Sequence, residues 1–175
     1  NVVMINTQSL DIQKNYPVFK QTLKSESSVL GIAGSVIGLG NGEGQMGRGY
    51  KFENKVETVI EYPIDSDFLE VLGMQLVAGR NFNPEIASDA ISSVIVNETL
   101  VRNALGSSSE EALGKEFTSG KEGNRKVIIG VTRDFNFENL TRNVRSQMFL
   151  YPATFKPNAL FVRINPGDPS KALAV

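Results

Sequence analysis

The sequence predicts an α+β fold. It opens with a strand, a helix and a second strand, at residues 2–6, 15–26 and 28–37, an order typical of a βαβ-type unit that packs a helix on a sheet. The stretch 126–132 is apolar on both faces, which indicates a central strand. A strand is also predicted at 159–164, and we expect it to pair with residues 2–6 in one sheet.

Capping residues predict where the helices between these strands begin and end. Asp67 and Glu70 have the spacing of a capping box, and Gly73 stands where a left-handed C-terminal cap belongs, so a short helix is predicted between them. Asn97 begins and Gly106 ends the next helix by the same logic. The remaining predicted elements are strands at 50–52, 56–63, 74–78, 93–96 and 147–151, and helices at 98–105, at 109–113 and from Pro169 onward.

The composition is that of an ordinary globular domain without the commonest catalytic side chains. The chain has 175 residues, of which 41% are hydrophobic and 21% charged, and its net charge is −1. A near-neutral chain lacks the basic field that nucleic-acid-binding proteins need, so no nucleic-acid partner is expected. It contains no His and no Cys, which excludes Ser-His-Asp and Cys-His catalysis and the usual zinc, haem and iron–sulfur ligands. We therefore expect no metal and no cofactor.

Both ends of the sequence are typical of a fragment. It begins at Asn1 without a Met or a signal peptide, and it stops at Val175 in mid-pattern. No apolar run approaches the roughly 18 residues of a membrane span. We expect a piece of a longer protein.

Residues 38–49 are rich in glycine and are predicted to form a mobile loop that binds no nucleotide. Within them, 42–47 match the G-x-G-x-x-G pattern, but a dinucleotide site needs a helix after the glycines, and no helical pattern follows. We regard this loop as the best candidate for contacts with a partner. Its glycines are Gly38, Gly40, Gly42, Gly44, Gly47 and Gly49.

Three carboxylates could carry chemistry, but each also has a structural interpretation. Asp65 and Asp67 form a D-x-D triplet that could hold Mg²⁺ or Ca²⁺, whereas helix capping explains Asp67 without a metal. Asp134 follows the predicted central strand, with Glu138 four residues on, and such a pair could act as general acid and base. No nucleophile accompanies that pair, so turn and surface roles are favoured.

Three stretches, taken in order, resemble a known family. Residues 67–82 carry Phe, Leu-Gly, Leu and Gly-Arg-x-Phe at fixed spacing, 94–100 with 113–115 form a second block, and 127–135 read Val-Ile-Ile-Gly-Val-Thr-Arg-Asp-Phe. This ordered set is similar to the MacB-like periplasmic core domain of MacB/FtsX-type ABC-transporter permeases. The stretch 111–114 departs from the family, which often has a Pro before this Gly.

The resemblance implies two α+β lobes. A porter-like lobe, built of ferredoxin-like halves from both ends of the segment, would comprise about 1–55 and 142–175. A smaller α+β lobe, inserted into the first, would comprise about 56–141.

The resemblance also implies a non-catalytic function. The domain would lie in the periplasm as part of an inner-membrane protein, and it would reach the membrane only through flanking helices outside this chain. It would contact a periplasmic adaptor or cargo protein and transmit motion driven by a cytoplasmic ATPase subunit of the parent permease. In isolation we expect a monomer or weak oligomer without hydrolase or transferase activity.

A second hypothesis is a small carbohydrate- or nucleotide-active enzyme that uses carboxylates such as Asp65, Asp67 and Asp134. The lack of His and Cys and the structural interpretations of these carboxylates disfavour it. Turnover of a substrate that Asp134→Asn abolishes would establish this hypothesis.

Overall fold

The computed structural model describes residues 1–7, 15–39, 47–52, 55–119, 125–137 and 143–166, and the α+β class is confirmed. In chain order the elements are β1 (Val2–Asn6), α1 (Tyr16–Lys24), β2 (Val29–Ser35), β3 (Gly47–Phe52), β4 (Lys55–Pro63), α2 (Phe68–Leu72), β5 (Leu76–Gly79), α3 (Ala87–Ile91), β6 (Ser93–Asn97), α4 (Glu98–Leu100) continuing as a π-helical turn (Val101–Leu105), α5 (Ser109–Ala112), β7 (Glu116–Ser119), β8 (Arg125–Thr132), β9 (Gln147–Leu150) and β10 (Ala159–Ile164). The sequence did not predict α3 and β7. The helix predicted after Pro169 lies outside the described residues.

A three-stranded sheet joins the two ends of the chain. Its order is β1-β10-β2, and β10 is antiparallel to both neighbours, so β1 and β2 are parallel to each other with α1 between them in sequence. The predicted pairing of residues 2–6 with 159–164 is confirmed, with Val2 opposite Arg163. On one face of this sheet, Leu23 of α1 packs against the buried Ile32 and Val162.

A seven-stranded sheet closes on itself. Its order is β5-β8-β6-β9-β4-β3-β7, and β7 pairs in addition with β8, which makes a ring of six strands with β5 beside it. One edge of β8 is covered by β6, and the other is covered by β7 and then β5. This is the central position that the apolar sequence of β8 predicts.

One apolar core lies between the two sheets. Phe161 of β10 meets Phe68 of α2 edge to face, with ring centroids 5.4 Å apart. On the other side of this core, Tyr62 of β4 packs against Phe137 with centroids 4.7 Å apart, and Phe149 of β9 lies beside both. All five side chains are buried, so the small sheet rests directly on the large one.

The predicted division into lobes at residues 55 and 142 remains a prediction. The boundary between the sheets falls elsewhere, because β3 lies before residue 55 and β9 lies after residue 142, yet both strands belong to the seven-stranded sheet. Over the described residues, no helix has the length and apolar character needed to cross a bilayer.

Candidate functional site

Asp65 joins the small sheet to the large one. It follows β4, is buried, and its Oδ2 accepts hydrogen bonds from the Tyr16 hydroxyl, from Lys20 Nζ at 2.6 Å and from the Gly34 amide at 3.1 Å. Burial, together with the neighbouring Asp65 charge, raises the pKa of Tyr16 above its usual value, so this hydroxyl stays protonated and donates. One carboxylate therefore ties α1, β2 and the end of β4 together through protein donors.

The predicted helix cap at Asp67 is wrong. Asp67 has helical backbone angles, φ −88° and ψ −7°, and its side chain makes no capping hydrogen bond to α2. Its Oδ2 lies instead 2.9 Å from Nζ of both Lys20 and Lys24. Burial opposes ionisation of Asp67, but hydrogen bonds from Lys24 and Lys20 outweigh it and hold the pKa of this carboxyl below its usual value. Two ammonium groups one turn apart on α1 thus compete successfully with the amides of α2.

Replacing Asp67 distinguishes a helix cap from ion pairs with Lys20 and Lys24 as the role of this side chain. Both Asp67→Ala and Asp67→Asn should lower the free energy of unfolding by about 0.5–1 kcal/mol, because this carboxylate is one-third exposed and forms surface-type ion pairs. Urea denaturation at low salt and at about 1 M NaCl should show the difference shrinking with salt. Asparagine is as good an N-cap as aspartate. An Asp67→Asn variant of wild-type stability, or a loss that salt leaves unchanged, would favour a cap.

Two glycines of the sequence motif let β5 and β8 approach closely. Gly79, with φ +73°, lies opposite Gly130. A Cβ atom on Gly79 would lie 2.2 Å from the carbonyl oxygen of Ile129, and one on Gly130 would lie 2.5 Å from that of Arg80. Both positions therefore require glycine. Gly73 ends α2 with φ +69°, so its predicted left-handed cap is confirmed.

Arg80 forms an ion pair that the sequence did not reveal. Its Nη1 and Nη2 donate to Asp89 of α3 at 2.6 and 2.8 Å. Asp89 is 1% exposed and also accepts hydrogen bonds from the Asn83 amide and the Ser93 hydroxyl, at 2.9 and 2.8 Å. The guanidinium outweighs burial and, with these donors, holds the pKa of Asp89 below its usual value.

The predicted cap at Asn97 is confirmed, and this residue does more than cap. Its Oδ1 accepts from the Leu100 amide at 3.0 Å, as a helix cap should, and also from the Gln147 amide at 3.0 Å. Its Nδ2 donates to the Arg145 carbonyl at 2.9 Å. Asn97 is fully buried, so its amide joins the start of α4 to the start of β9.

Asp134 lies at the N-terminus of α4. Its Oδ1 accepts from the Thr99 amide at 2.8 Å, and its Oδ2 accepts from the Thr99 hydroxyl at 2.9 Å and from Arg102 Nη2 at 2.8 Å. Its own amide donates to Glu98 Oε2 at 3.1 Å. Glu138, its predicted partner in acid–base chemistry, lies outside the described residues. The contacts of Asp134 are those of a residue that fixes the strand–helix junction.

The glycine-rich stretch is described only at its two ends. Gly38 lies beside β1, where a Cβ atom would be 3.8 Å from Met4 Sδ. Gly40, Gly42 and Gly44 lie outside the described residues.

The loop prediction is wrong for Gly47 and Gly49. Both belong to β3, where they pair with Ile60 and Thr58 of β4. Glycine lowers strand propensity, but pairing with β4 supplies the backbone hydrogen bonds and overrides it. A Cβ atom on Gly47 would lie 2.6 Å from Thr58 Cγ2, so glycine here allows a close approach between strands.

Two hollows lie on the surface of the small sheet and α2. One, of about 200 Å³, includes the charged residues Lys24, Asp67, Glu70 and Arg163 in its lining. The other, of about 310 Å³, is mainly apolar and is lined by Val2, Met4, Leu39, Leu72, Asn136, Phe137 and Phe161. In the part of the chain that the structure describes, no three Asp or Glu side chains converge as a metal site would require.

Comparison with known families decides what kind of domain this is. The family model described as the MacB-like periplasmic core domain matches residues 1–174. The chain belongs to this family. The resemblance predicted from the three ordered stretches is thereby confirmed, and the domain is an extracytoplasmic part of an ABC-transporter-type permease.

Solved structures of MacB-like domains share the fold. The chain is similar to the periplasmic region of MacB from Actinobacillus actinomycetemcomitans, with a TM-score of 0.66 and 15% identity, over 99% of this chain and 78% of that one. It is equally similar, with a TM-score of 0.66 and 16% identity, to the extracellular domain of the noncanonic ABC-type transporter YknZ from Gram-positive bacteria, over 98% of this chain and 88% of that one. The search of curated proteins gave no match.

The motif residues of this MacB-like domain hold its framework together. Gly79 and Gly130 allow two strands to touch, Arg80 neutralises a buried carboxylate, and Asn97 and Asp134 fix the start of α4. The residues that carry the resemblance to the family are therefore residues that stabilise its fold.

Proposed function

We propose that this domain carries ATP-driven movement from the membrane to a partner protein and has no chemistry of its own. The observation that supports this most is the position of β1 and β10. These strands lie side by side, and the Ile164 amide donates to the Asn1 carbonyl at 3.0 Å. If the membrane helix that precedes this domain in the parent permease leads into β1, a displacement of that helix acts first on this pair.

The small sheet is joined to the large one by two kinds of contact. Arg163 of β10 donates through Nε to the Val71 carbonyl of α2 at 2.8 Å, and Phe161 packs on Phe68 of the same helix. The second link is Asp65, which binds donors of α1 and β2 at the end of β4. Close-packed interiors transmit strain because they compress little, so these contacts form a continuous path from the chain ends to the ring of strands.

The proposal is tested by weakening one link in the parent permease assembled with its ATPase subunit. Asp65→Asn removes the charge that Lys20 and Tyr16 contact, and we expect transport to fall several-fold while basal ATP hydrolysis is retained. Asp67→Asn is the matched control, since it makes the same chemical change two residues away at a one-third exposed site. Unchanged transport in Asp65→Asn, or an equal loss in both variants, would contradict the proposed path.

We propose that the partner, an adaptor or cargo protein, contacts the loop that contains Gly38, Gly40, Gly42 and Gly44. Gly47 and Gly49 are no longer part of this site, because they are paired within β3. Replacing residues 40–46 by serines, which leaves β3 intact, should impair transport in the same assay and spare basal ATP hydrolysis. If transport is unaffected, the loop is only a connector.

A further inference from the structure

The outer edge of β2, on the side away from β10, is covered in two different ways. From Gly34 onward, residues 63–65 run beside it, and the Gly34 carbonyl accepts a hydrogen bond from the Asp65 amide at 3.2 Å. Before Gly34, no strand among the described residues pairs with this edge. Ile32 lies on that earlier stretch, yet it is 0% exposed. Side chains therefore shield this part of the edge.

The backbone groups of Ile32 point toward this edge. The pairing of β2 with β10 keeps one register along residues 31–35, and bonded and outward positions alternate along an antiparallel strand. The amide and the carbonyl of Gly34 both bond to Asp65, so Gly34 is an outward position. Ile32, two residues earlier, is therefore outward as well, whereas Ala33 between them bonds to β10.

Two helices lie on opposite faces of the small sheet next to Ile32. Leu23 of α1 packs against Ile32 and Val162 on one face. On the other face, Phe68 of α2 packs against Phe161, and successive residues of a strand point to opposite sides. A contact that joins α1 to the start of α2 at this place passes around the outer edge of β2.

Ion pairs with Asp67, the residue that precedes α2, make this contact. Asp67 Oδ2 lies 2.9 Å from Nζ of both Lys20 and Lys24, and Lys24, Asp67 and Ile32 line the same charged hollow. The side chains of Lys24 and Asp67 are 44% and 33% exposed, so dissolved salt screens their attraction. Those of Lys20 and Asp65 are only 15% and 8% exposed, so this second pair is screened much less and keeps α1 attached.

We propose that the ion pairs of Lys20 and Lys24 with Asp67 form a salt-sensitive strap over the outer edge of β2. The closed strap keeps water and other strands away from the Ile32 backbone, on a strand that has neither a proline nor a charged residue to protect its edge. High ionic strength opens the strap while both sheets stay folded, because such local openings need far less free energy than global unfolding. In an extracytoplasmic domain, the strap responds to the ionic strength outside the cytoplasm.

Hydrogen exchange of the Ile32 amide, followed by NMR, measures opening of the strap. Asp67→Asn should raise its exchange rate about two- to fivefold, the range expected for the loss of exposed ion pairs. Sodium chloride at about 1 M should raise it similarly in the wild type and have little further effect in Asp67→Asn.

Arg80→Met is the control for global unfolding, because it removes the cation of the buried Asp89 and leaves the strap intact. It should accelerate exchange of the Ala33 amide, which bonds to β10, and leave exchange of the Ile32 amide unchanged. The proposal is overturned if Asp67→Asn or salt leaves Ile32 exchange as it is in the wild type. It is also overturned if Arg80→Met accelerates Ile32 as much as Ala33, since Ile32 would then open only when the whole domain unfolds.

Discussion

Replacing Gly79 by alanine should be among the most damaging changes that one methyl group can make in this chain. The new Cβ atom would stand 2.2 Å from the Ile129 carbonyl oxygen and 2.7 Å from a methyl group of Leu113. The backbone carbonyl is held in the pairing of β5 with β8, so it cannot move aside without separating the strands. We expect the free energy of unfolding to fall by about 4 kcal/mol or more, or the domain not to fold.

Gly106→Ala is the matched control for this experiment. Gly106 also has a positive φ, +59°, but no atom lies within 4 Å of where its Cβ would be. Only the backbone cost of about 1–2 kcal/mol should then appear in urea denaturation. Similar losses in the two variants would mean that conformation alone, rather than close approach of the strands, accounts for Gly79.

Replacing Arg80 by methionine should have the second largest effect. Methionine keeps much of the length of the side chain but leaves the Asp89 carboxylate buried without its cation. Removing one partner of such a pair costs about 3 kcal/mol or somewhat less here, because two neutral donors remain. The double variant Arg80→Met with Asp89→Asn should recover part of this loss, as the uncompensated charge is then gone. A double variant less stable than Arg80→Met would contradict this explanation.

Acid titration gives an independent measure of the same pair. The pKa of Asp89 is lower in the folded domain than the value of about 3.9 expected in the unfolded chain. The stabilisation is therefore fully present above that unfolded pKa and is lost as the pH falls through the folded one. Wild type should lose more stability between neutral pH and about pH 2 than Asp89→Asn does. Parallel acid profiles for the two would show that Asp89 titrates normally.

Features that depend on neighbouring residues were visible in the sequence. Gly73 and Gly106 end their helices in the left-handed conformation, and the Asn97 side chain caps α4, because each acts within one helical turn. The central position of β8 was likewise predictable, because its sequence is apolar on both faces.

Features that depend on residues far away in the sequence could not be predicted from it. Asp67 has the right spacing for a capping box, but Lys24, which binds it, is 43 positions away. The pairing of Gly47 with Ile60 extends β3 into a stretch whose composition favours a loop. Asp89 occupies a five-residue helix that carries no clear periodicity, so nothing local marked it as the partner of Arg80.

The interleaving of early and late strands has a consequence for how the domain forms during its synthesis and export. β1 has β10 as its neighbour, and β4 is bordered by β3 and β9. Met4 therefore cannot pair until Phe161 has been made, and Ile60 cannot form its pair with β9 until Gln147 has been made. Pairings of such long sequence separation form late and slowly. Neither sheet can be completed until nearly the whole segment has emerged. A chain that crosses a membrane unfolded would therefore remain without its final structure for most of that passage.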